Sequence, residues 1–386
     1  MLPLNRIISH FRSSSFKSSA SRFASSTNIR LSNGKRGSTP ATAPNGYSMI
    51  TYVWIDGTQV NTRAKTMVLD KEPRDVKELP LWQYDGSSTY QAETGDSDMT
   101  LKPVFMCRDP FFMGKSKLVL CEVLDKNGQP VHGNYRTSCA EVADKAKQHD
   151  AWFAFEQEYT MFSRLTGKPF GWPPGDSLPR PQGPFYCGVG DGNIFGRKVV
   201  DKHLLACLYA GLRVGGTNAE VMPSQWEYQV GPLPPLAVAD QLWMCRYIIA
   251  RIGEDYGVSI SLDPKPLPDW NGAGNHCNFS TNLTRSANGI SYLEEAIKKL
   301  SRNHAAHIEV YDPTGGVANR RRLTGKFETA SIDKFTSGIG SRNVSVRIPR
   351  SVARAGKGHL EDRRPSSDCD PYRVVERILR TVCLEE

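Results

Sequence analysis

The run Trp152-Phe153-Ala154-Phe155-Glu156-Gln157-Glu158-Tyr159-Thr160-Met161-Phe162 constrains this chain more than any other segment. Its aromatic residues favour a strand. Side chains alternate across a strand, so Phe153, Phe155, Tyr159 and Met161 share one face. Glu156 and Glu158 share the other with Ala154 and Thr160. The apolar face needs a core to pack against. Two adjacent carboxylates repel, and no basic residue between positions 151 and 163 neutralises them. Either that face is solvated, or it holds a divalent cation, a hard ion whose preference for oxygen removes the repulsion.

Further residues of the same chemistry follow. Glu220 and Glu227 lie in a segment where Gln225, Glu227 and Gln229 alternate with Trp226, Tyr228 and Val230. The strand-like run His276-Cys277-Asn278-Phe279-Ser280 follows the flexible Asn271-Gly272-Ala273-Gly274. By itself His276 reads equally as a structural histidine. Between positions 320 and 364 there are nine arginines, against Glu328, Asp333, Glu361 and Asp362. Arginine's planar fork suits phosphate and carboxylate, although any single one also fits a surface ion pair. Arg342 and Arg347 fall on opposite faces of a regular strand, so the backbone must turn if both touch one ligand. Together these groups point to metal-assisted phosphoryl transfer. Gly114-Lys115-Ser116 lacks the upstream glycine of a phosphate-binding loop, and no GxGxxG fingerprint is present. Any ATP site must therefore be built without a P-loop.

The 386 residues carry a net charge of +9, but seven basic residues and no acid lie within residues 1–55. The remainder is close to neutral, which gives nucleic-acid binding no support. That first segment is Ser-rich, with twelve serines from Ser9 to Ser48, and Leu4, Ile7, Ile8 and Phe11 recur at helical spacing. This profile predicts a mitochondrial transit peptide over residues 1–48, with a disordered basic tail as the other reading. No run approaches 18 apolar residues, so no membrane-spanning helix is expected. Nine scattered cysteines without a CxxC pair exclude a zinc ribbon and suggest reduced thiols.

Ile50–Gly57, Lys65–Leu69 and Leu118–Val123 read as strands of a small, mainly β domain over residues 49–134. The spacing from Ser138 to Glu141 predicts a capping box opening a helix through Gln148. Amphipathic helices are expected around Val200–Gly211, Val238–Ile252 and Leu293–Leu300. Asp370-Pro371 predicts an N-cap with proline at the first helical position. Gly167 to Pro184 carries six prolines and reads as a long functional loop. The fold class is α+β.

Several motifs resemble the eukaryotic-type glutamine synthetase family in order. They are Trp82-Gln83-Tyr84-Asp85-Gly86-Ser87-Ser88-Thr89, Glu156-Gln157-Glu158-Tyr159-Thr160, Phe170-Gly171-Trp172-Pro173 and Pro181-Gln182-Gly183-Pro184. Asn218-Ala219-Glu220-Val221-Met222-Pro223, Gln225-Trp226-Glu227 and Asn271-Gly272-Ala273-Gly274 follow. Arg322-Leu323-Thr324-Gly325, Arg347-Ile348-Pro349-Arg350 and Glu361-Asp362-Arg363-Arg364-Pro365 complete the series. The likeness runs from about Tyr52 to the C-terminus.

The resemblance implies an N-terminal β-grasp domain and, over residues 135–386, a catalytic domain whose curved antiparallel sheet is flanked by helices. It implies ATP-dependent ligation of ammonia to L-glutamate through γ-glutamyl phosphate, in a decamer of two pentameric rings with sites shared between subunits. Two or three Mg²⁺ or Mn²⁺ ions would be held by Glu156, Glu158, Glu220, Glu227, His276 and Glu361. ATP would meet Trp152, Glu156, Glu227, Gln229, Pro232, Asn278, Ser280, Arg285, Arg342 and Arg347. Glutamate would meet Trp270, Asn271, Gly272, His276, Arg322, Arg342 and Arg363, and ammonium would meet Asp85, Ser88, Tyr186 and Glu328. Asp85, Glu328 and Arg342 would be catalytic. The sequence departs from the family pattern at Asn275 and Phe327, and it lacks an evident N-terminal helix. A ligase using another amine and a non-catalytic structural relative are the alternatives. The matrix is the expected location, with the cytoplasm as the alternative.

Overall fold

The computed structural model describes residues 44, 46–173, 179 and 182–386. The expected leader lies outside the described residues as far as position 43. Ser48, the last residue of that expected segment, pairs with Leu69.

The first strands build a five-stranded sheet. β1 (Ser48–Ile55), β2 (Thr62–Leu69), β3 (Trp82–Asp85), β4 (Asp98–Arg108) and β5 (Lys117–Leu124) assemble in the order β2-β1-β5-β4-β3. β1 and β5 run parallel, and the other pairs are antiparallel. Alternation splits β1 cleanly. Ile50, Tyr52 and Trp54 fill a local core with Leu101, Val119 and Val123. Val53, Leu118 and Leu120 face the other way, into the main core that also contains Phe153 and Val142. The two halves of the chain are thus packed together through apolar side chains.

The second sheet has eight strands: β6 (Trp152–Ser163), β7 (Val214–Ala219), β8 (Gln225–Leu233), β9 (Val258–Ser261), β10 (Asn275–Ser280), β11 (Ser337–Ile339), β12 (Val346–Ile348) and β13 (Leu360–Asp362). Its order is β11-β12-β13-β10-β6-β8-β7, with β9 paired to the end of β6. All pairs are antiparallel except β11 with β12. The molecule is α+β, as expected.

Helices cover one face of this sheet. α1 spans Arg136–Lys145, α2 Arg197–Ala210, α3 Pro235–Tyr256, α4 Gly289–Arg302 and α5 Pro371–Leu379. α3 starts with proline at N1, where the missing N–H has no helical partner to lose. It buries Val238, Leu242, Trp243, Ile248, Ile249 and Ile252 against Phe153, Phe155, Tyr159 and Val230. Each fully buried side chain of this size contributes about 1.5–3 kcal/mol. Asp370 caps α5 by accepting from the Tyr372 and Arg373 amides, as the sequence predicts.

The capping box at Ser138 does not form. α1 begins at Arg136, and Ser138 lies inside it, donating to the Tyr135 carbonyl and to Glu376 at 2.7 Å. Arg136 is fixed by both oxygens of Asp240, at 2.8 and 3.0 Å, so a tertiary ion pair sets the start. No helix among the described residues is long and apolar enough to cross a membrane.

Candidate active site

The uncovered face of the eight-stranded sheet floors a cavity of about 570 Å³. Strand register builds that floor. β10, β6 and β8 are adjacent, with Cα partners His276 and Glu156 across one seam and Glu158 and Glu227 across the other. Glu220 arrives just beyond β7 and is tied by Asn218, whose side-chain amide donates to it at 2.9 Å. Asn218 in turn accepts from Gln229 at 3.0 Å.

The carboxylates fall into two groups sharing one member. Ligand atoms of Glu156, Glu227 and His276 lie within 4.8 Å of one another, and so do those of Glu158, Glu220 and Glu227. Burial, partly relieved by Arg322, pushes Glu158 up to about 7. Burial and crowding by neighbouring carboxylates push Glu220 and Glu227 well above the ordinary range. Burial and then Arg363 drive His276 far below its usual value, which keeps a ring nitrogen lone pair free. Oxygen-rich, uncompensated and carrying one neutral imidazole, this wall fits hard divalent cations.

Glu361 is different. Its oxygens accept from Arg347 and Arg363, each at 2.6 Å, and it lies 3.7 Å from His276 Nδ1. Burial is the largest influence and would raise it, but Arg363, His276 and Arg347 together outweigh burial and hold it below the usual range. It therefore joins the acidic groups to the basic ones.

Cationic groups line the same cavity beside the acids: Arg322, Arg342, Arg347 and Arg363. Arg322 is buried and donates to Asn319 and to the carbonyls of Arg363 and Arg364. Its Nη2 also sits 3.3 Å from His276 Nε2. Desolvation lowers its guanidinium to about 10. Asn271, Gly272, Asn278, Gln229, Tyr186 and Glu328 line the same space. Tyr186 is raised to about 12, chiefly by burial. Phe327 and Glu328 both take left-handed backbone angles, φ 55° and 59°. Such strain in non-glycine residues concentrates at functional sites. Phe327 is also covered by Lys265, whose Nζ lies 4.1 Å from the ring centre.

Some expected residues sit elsewhere. Trp152, Ser280 and Arg285 form a cluster at the end of the same sheet face, where Trp152 and Ser280 are Cα partners. Arg285 donates to Ser280 at 2.9 Å and to Asp150, and lies 4.2 Å from the Trp152 ring. Pro232 and Trp270 are not among the cavity-lining residues. Neither are Asp85 and Ser88, which lie on the five-stranded sheet's rim. Asp85 is exposed and held well below the usual range by hydroxyl donors Ser87 and Ser88.

Sequence reasoning missed His359, which lines the cavity and is driven downward by burial. The signal was its spacing of two and four from Glu361 and Arg363, the alternation of extended chain that puts all three on one side.

A family model described as the glutamine synthetase catalytic domain matches residues 136–383. The chain belongs to the glutamine synthetase family. It is similar to the protein named glutamine synthetase 2 cytoplasmic of Drosophila melanogaster, 54% identical over 337 residues, covering 87% of this chain and 91% of that one. It is 52% identical to human glutamine synthetase, covering 87% and 90%, and 52% identical to that of Xenopus laevis, covering 87% and 86%. Of the two residues singled out in the sequence, Phe327 lines the cavity and Asn275 is the chain neighbour of the lining His276. Asn275 is fully buried beside His276, donating to Cys369 at 3.4 Å while its Oδ1 has no partner. Phe327 is the ring beneath Lys265.

Proposed function

We propose that the cavity joins ammonia to L-glutamate at the expense of ATP, giving L-glutamine, ADP and phosphate. One observation carries this reading: carboxylates that suit divalent cations and arginines that suit anions line one cavity side by side. Phosphate and carboxylate, which repel each other in water, have a place between them.

The acidic wall fits cations of the magnesium or manganese class, two or three per site. Glu156, Glu227 and His276 would hold one, Glu158, Glu220 and Glu227 another, and Glu361 would contribute beside His276. When bound, such ions supply Lewis-acid neutralisation of phosphate charge. Glutamate is held by Arg322 and Arg363, with Asn271, Gly272 and His276 beside it and Trp270 behind. The nucleotide lies along the sheet face, from Gln229 and Asn278 to Ser280, Trp152, Pro232 and Arg285. Its phosphates meet Arg342 and Arg347.

The γ-carboxylate oxygen of glutamate attacks the γ-phosphorus, the bond to ADP breaks, and Arg342 stabilises the transferring group. Asp85 and Ser88 of an adjacent subunit, with Tyr186, bind ammonium, and Asp85 accepts its proton. Ammonia attacks the acyl carbon, phosphate leaves with its bonding electrons, and Glu328 takes the excess proton from nitrogen. The left-handed loop carrying Glu328 excludes water, which otherwise hydrolyses the acyl phosphate. Sharing of Asp85 calls for a ring assembly, read here as a decamer of two pentamers. The β-grasp domain covers 49–134 and the catalytic domain 135–386. Residues 1–48 direct the chain to the mitochondrial matrix, and a fluorescent fusion that stays cytosolic would remove that assignment.

The reaction is tested on leaderless protein given ATP, Mg²⁺, glutamate and either ammonium, methylamine or no amine. Glutamine and ADP formed together only with ammonium are expected. Preference for methylamine would move the activity to a sister amine ligase, and no turnover from intact rings would indicate a structural relative.

A further inference from the structure

On the covered face of the same sheet, α2 and α3 bring a second set of ligand-bearing side chains together. His203 and Cys207 are four residues apart on α2 and therefore share one helix face. Cys245 meets them from the middle of α3. Cys207 Sγ lies 3.2 Å from His203 Nε2 and 3.8 Å from Cys245 Sγ. The three ligand atoms are within 4.8 Å of one another, and the residues are at most 2% exposed.

We propose that His203, Cys207 and Cys245 form a buried site for a thiophilic cation of the zinc class, clamping α2 to α3. Bond lengths of about 2.3 Å to sulfur and 2.1 Å to nitrogen require tetrahedral edges of about 3.8 Å for S···S and 3.6 Å for S···N. The sulfur pair already stands at that spacing, and the imidazole needs to retreat by a few tenths of an ångström. A disulfide needs the sulfurs to close to about 2.05 Å, a much larger movement. Charge also balances. Two thiols each release a proton on binding, and two thiolates with a neutral imidazole cancel a divalent cation in a core that tolerates no net charge. Burial keeps His203 neutral, with its value lowered to about 4.

Ordinary packing of two small apolar thiols is the competing account. It leaves unexplained the polar atoms around the cluster. The His203 ring stacks edge-on to Tyr228, with centroids 4.8 Å apart, and Tyr228 neighbours Tyr159 at 5.9 Å. Both tyrosine hydroxyls are buried without a hydrogen-bond partner. A three-ligand cation leaves a fourth position for a water or carbonyl that such hydroxyls can support. The Cys245 carbonyl accepts from His203 Nε2 at 3.1 Å, and on binding that proton would move to Nδ1, freeing both Nε2 and the carbonyl for the cation. The site is chemically separate from the acidic wall, because soft thiolates and hard carboxylates select different ions. Tyr228 and Glu227 point to opposite faces of β8.

Because the site is closed, the test supplies metal while the chain folds. The full chain is expressed with added Cd²⁺ or Zn²⁺, purified, and dialysed against EDTA to strip oxygen-bound ions. One chelator-resistant metal per chain is expected, with a cadmium–thiolate charge-transfer band. Both should be lost in Cys207→Ala and in Cys245→Ala and kept in Cys121→Ala. X-ray absorption on the unaltered zinc-loaded chain covers the case in which the variants do not fold. It should give two sulfur neighbours at about 2.3 Å and one imidazole nitrogen. Absence of retained metal, a shell of oxygen and nitrogen only, or a Cys207–Cys245 disulfide in fresh protein would each overturn the proposal.

Discussion

Replacing Gly274 with alanine adds one methyl group, and the structure fixes where it must go. The backbone at Gly274 is not left-handed, so the substitution introduces no conformational strain of that kind. The amide still donates to Glu158 Oε2, at 2.7 Å, and the carbonyl still accepts from the Glu158 amide at 3.0 Å. The new Cβ, however, would stand 2.4 Å from Arg322 Nη2, 3.0 Å from its Cζ and 2.9 Å from His276 Nε2. Ordinary contact begins near 3.4 Å, so the guanidinium must retreat by about 1 Å. It is not free to do so, being held by Asn319 and by the carbonyls of Arg363 and Arg364. Overpacking of this kind costs about 1–3 kcal/mol of stability. A displacement of about 1 Å in a substrate-positioning group costs on the order of 10²-fold in rate.

The expected result is a kcat/KM for glutamate reduced about 10²-fold, with a much smaller change in KM for ATP, measured by steady-state kinetics against each substrate. Gly95→Ala, where the added carbon meets nothing within 4 Å, serves as the control and should behave as the parent. A Gly274→Ala enzyme within about twofold of the parent in kcat/KM for glutamate would refute the placement of Arg322 as the carboxylate anchor.

Asp362→Ala should destabilise the protein by about 3–5 kcal/mol in chemical denaturation, because it strands the buried Arg364 that now donates to it at 2.7 and 2.9 Å. A loss below about 1 kcal/mol would mean that the pair is solvated. Mixed rings of Asp85→Asn and Glu328→Ala subunits, each inactive alone, should regain glutamine formation, since some interfaces would pair two intact contributors; no recovery would argue against a shared site. Burial raises the Asp370 carboxyl to about 6 from 3.8, so the folded state binds more protons than the unfolded state between those values. Stability from this group is therefore present at low pH and declines as pH rises through the window, by up to about 3 kcal/mol. Asp370→Asn keeps the helix cap and should remove that slope; a parent-minus-variant difference that is flat in denaturation from pH 4 to pH 8 would contradict the assignment.

What could be read from the chain alone was whatever a short period encodes. The two faces of β6 were legible because each is buried or occupied by a different kind of partner along its whole length. Helix α3 was legible for the same reason. Ser138 misled because its spacing obeys a local rule while Arg136, bound to Asp240, and Thr137, bound to Glu122, set the start of α1 from outside. His359 escaped notice because the strand it precedes is three residues long and owes its position to pairing with β12 and β10, which no local pattern announces.

Register decides the site itself. Glu156 meets His276 only in the observed pairing of β10 with β6; a slip of one residue would bring Cys277 opposite Glu156 and turn the imidazole into the core. The carboxylates cannot enforce that register, since they repel one another. The enforcement comes from the other face, where Cys277 pairs with Phe155, and Phe279 with Phe153, the two rings 5.1 Å apart and fully buried. Slippage would expose those side chains and bury polar ones in their place. The apolar pattern beneath the sheet thus holds together an acidic cluster that, left to its own electrostatics, would separate.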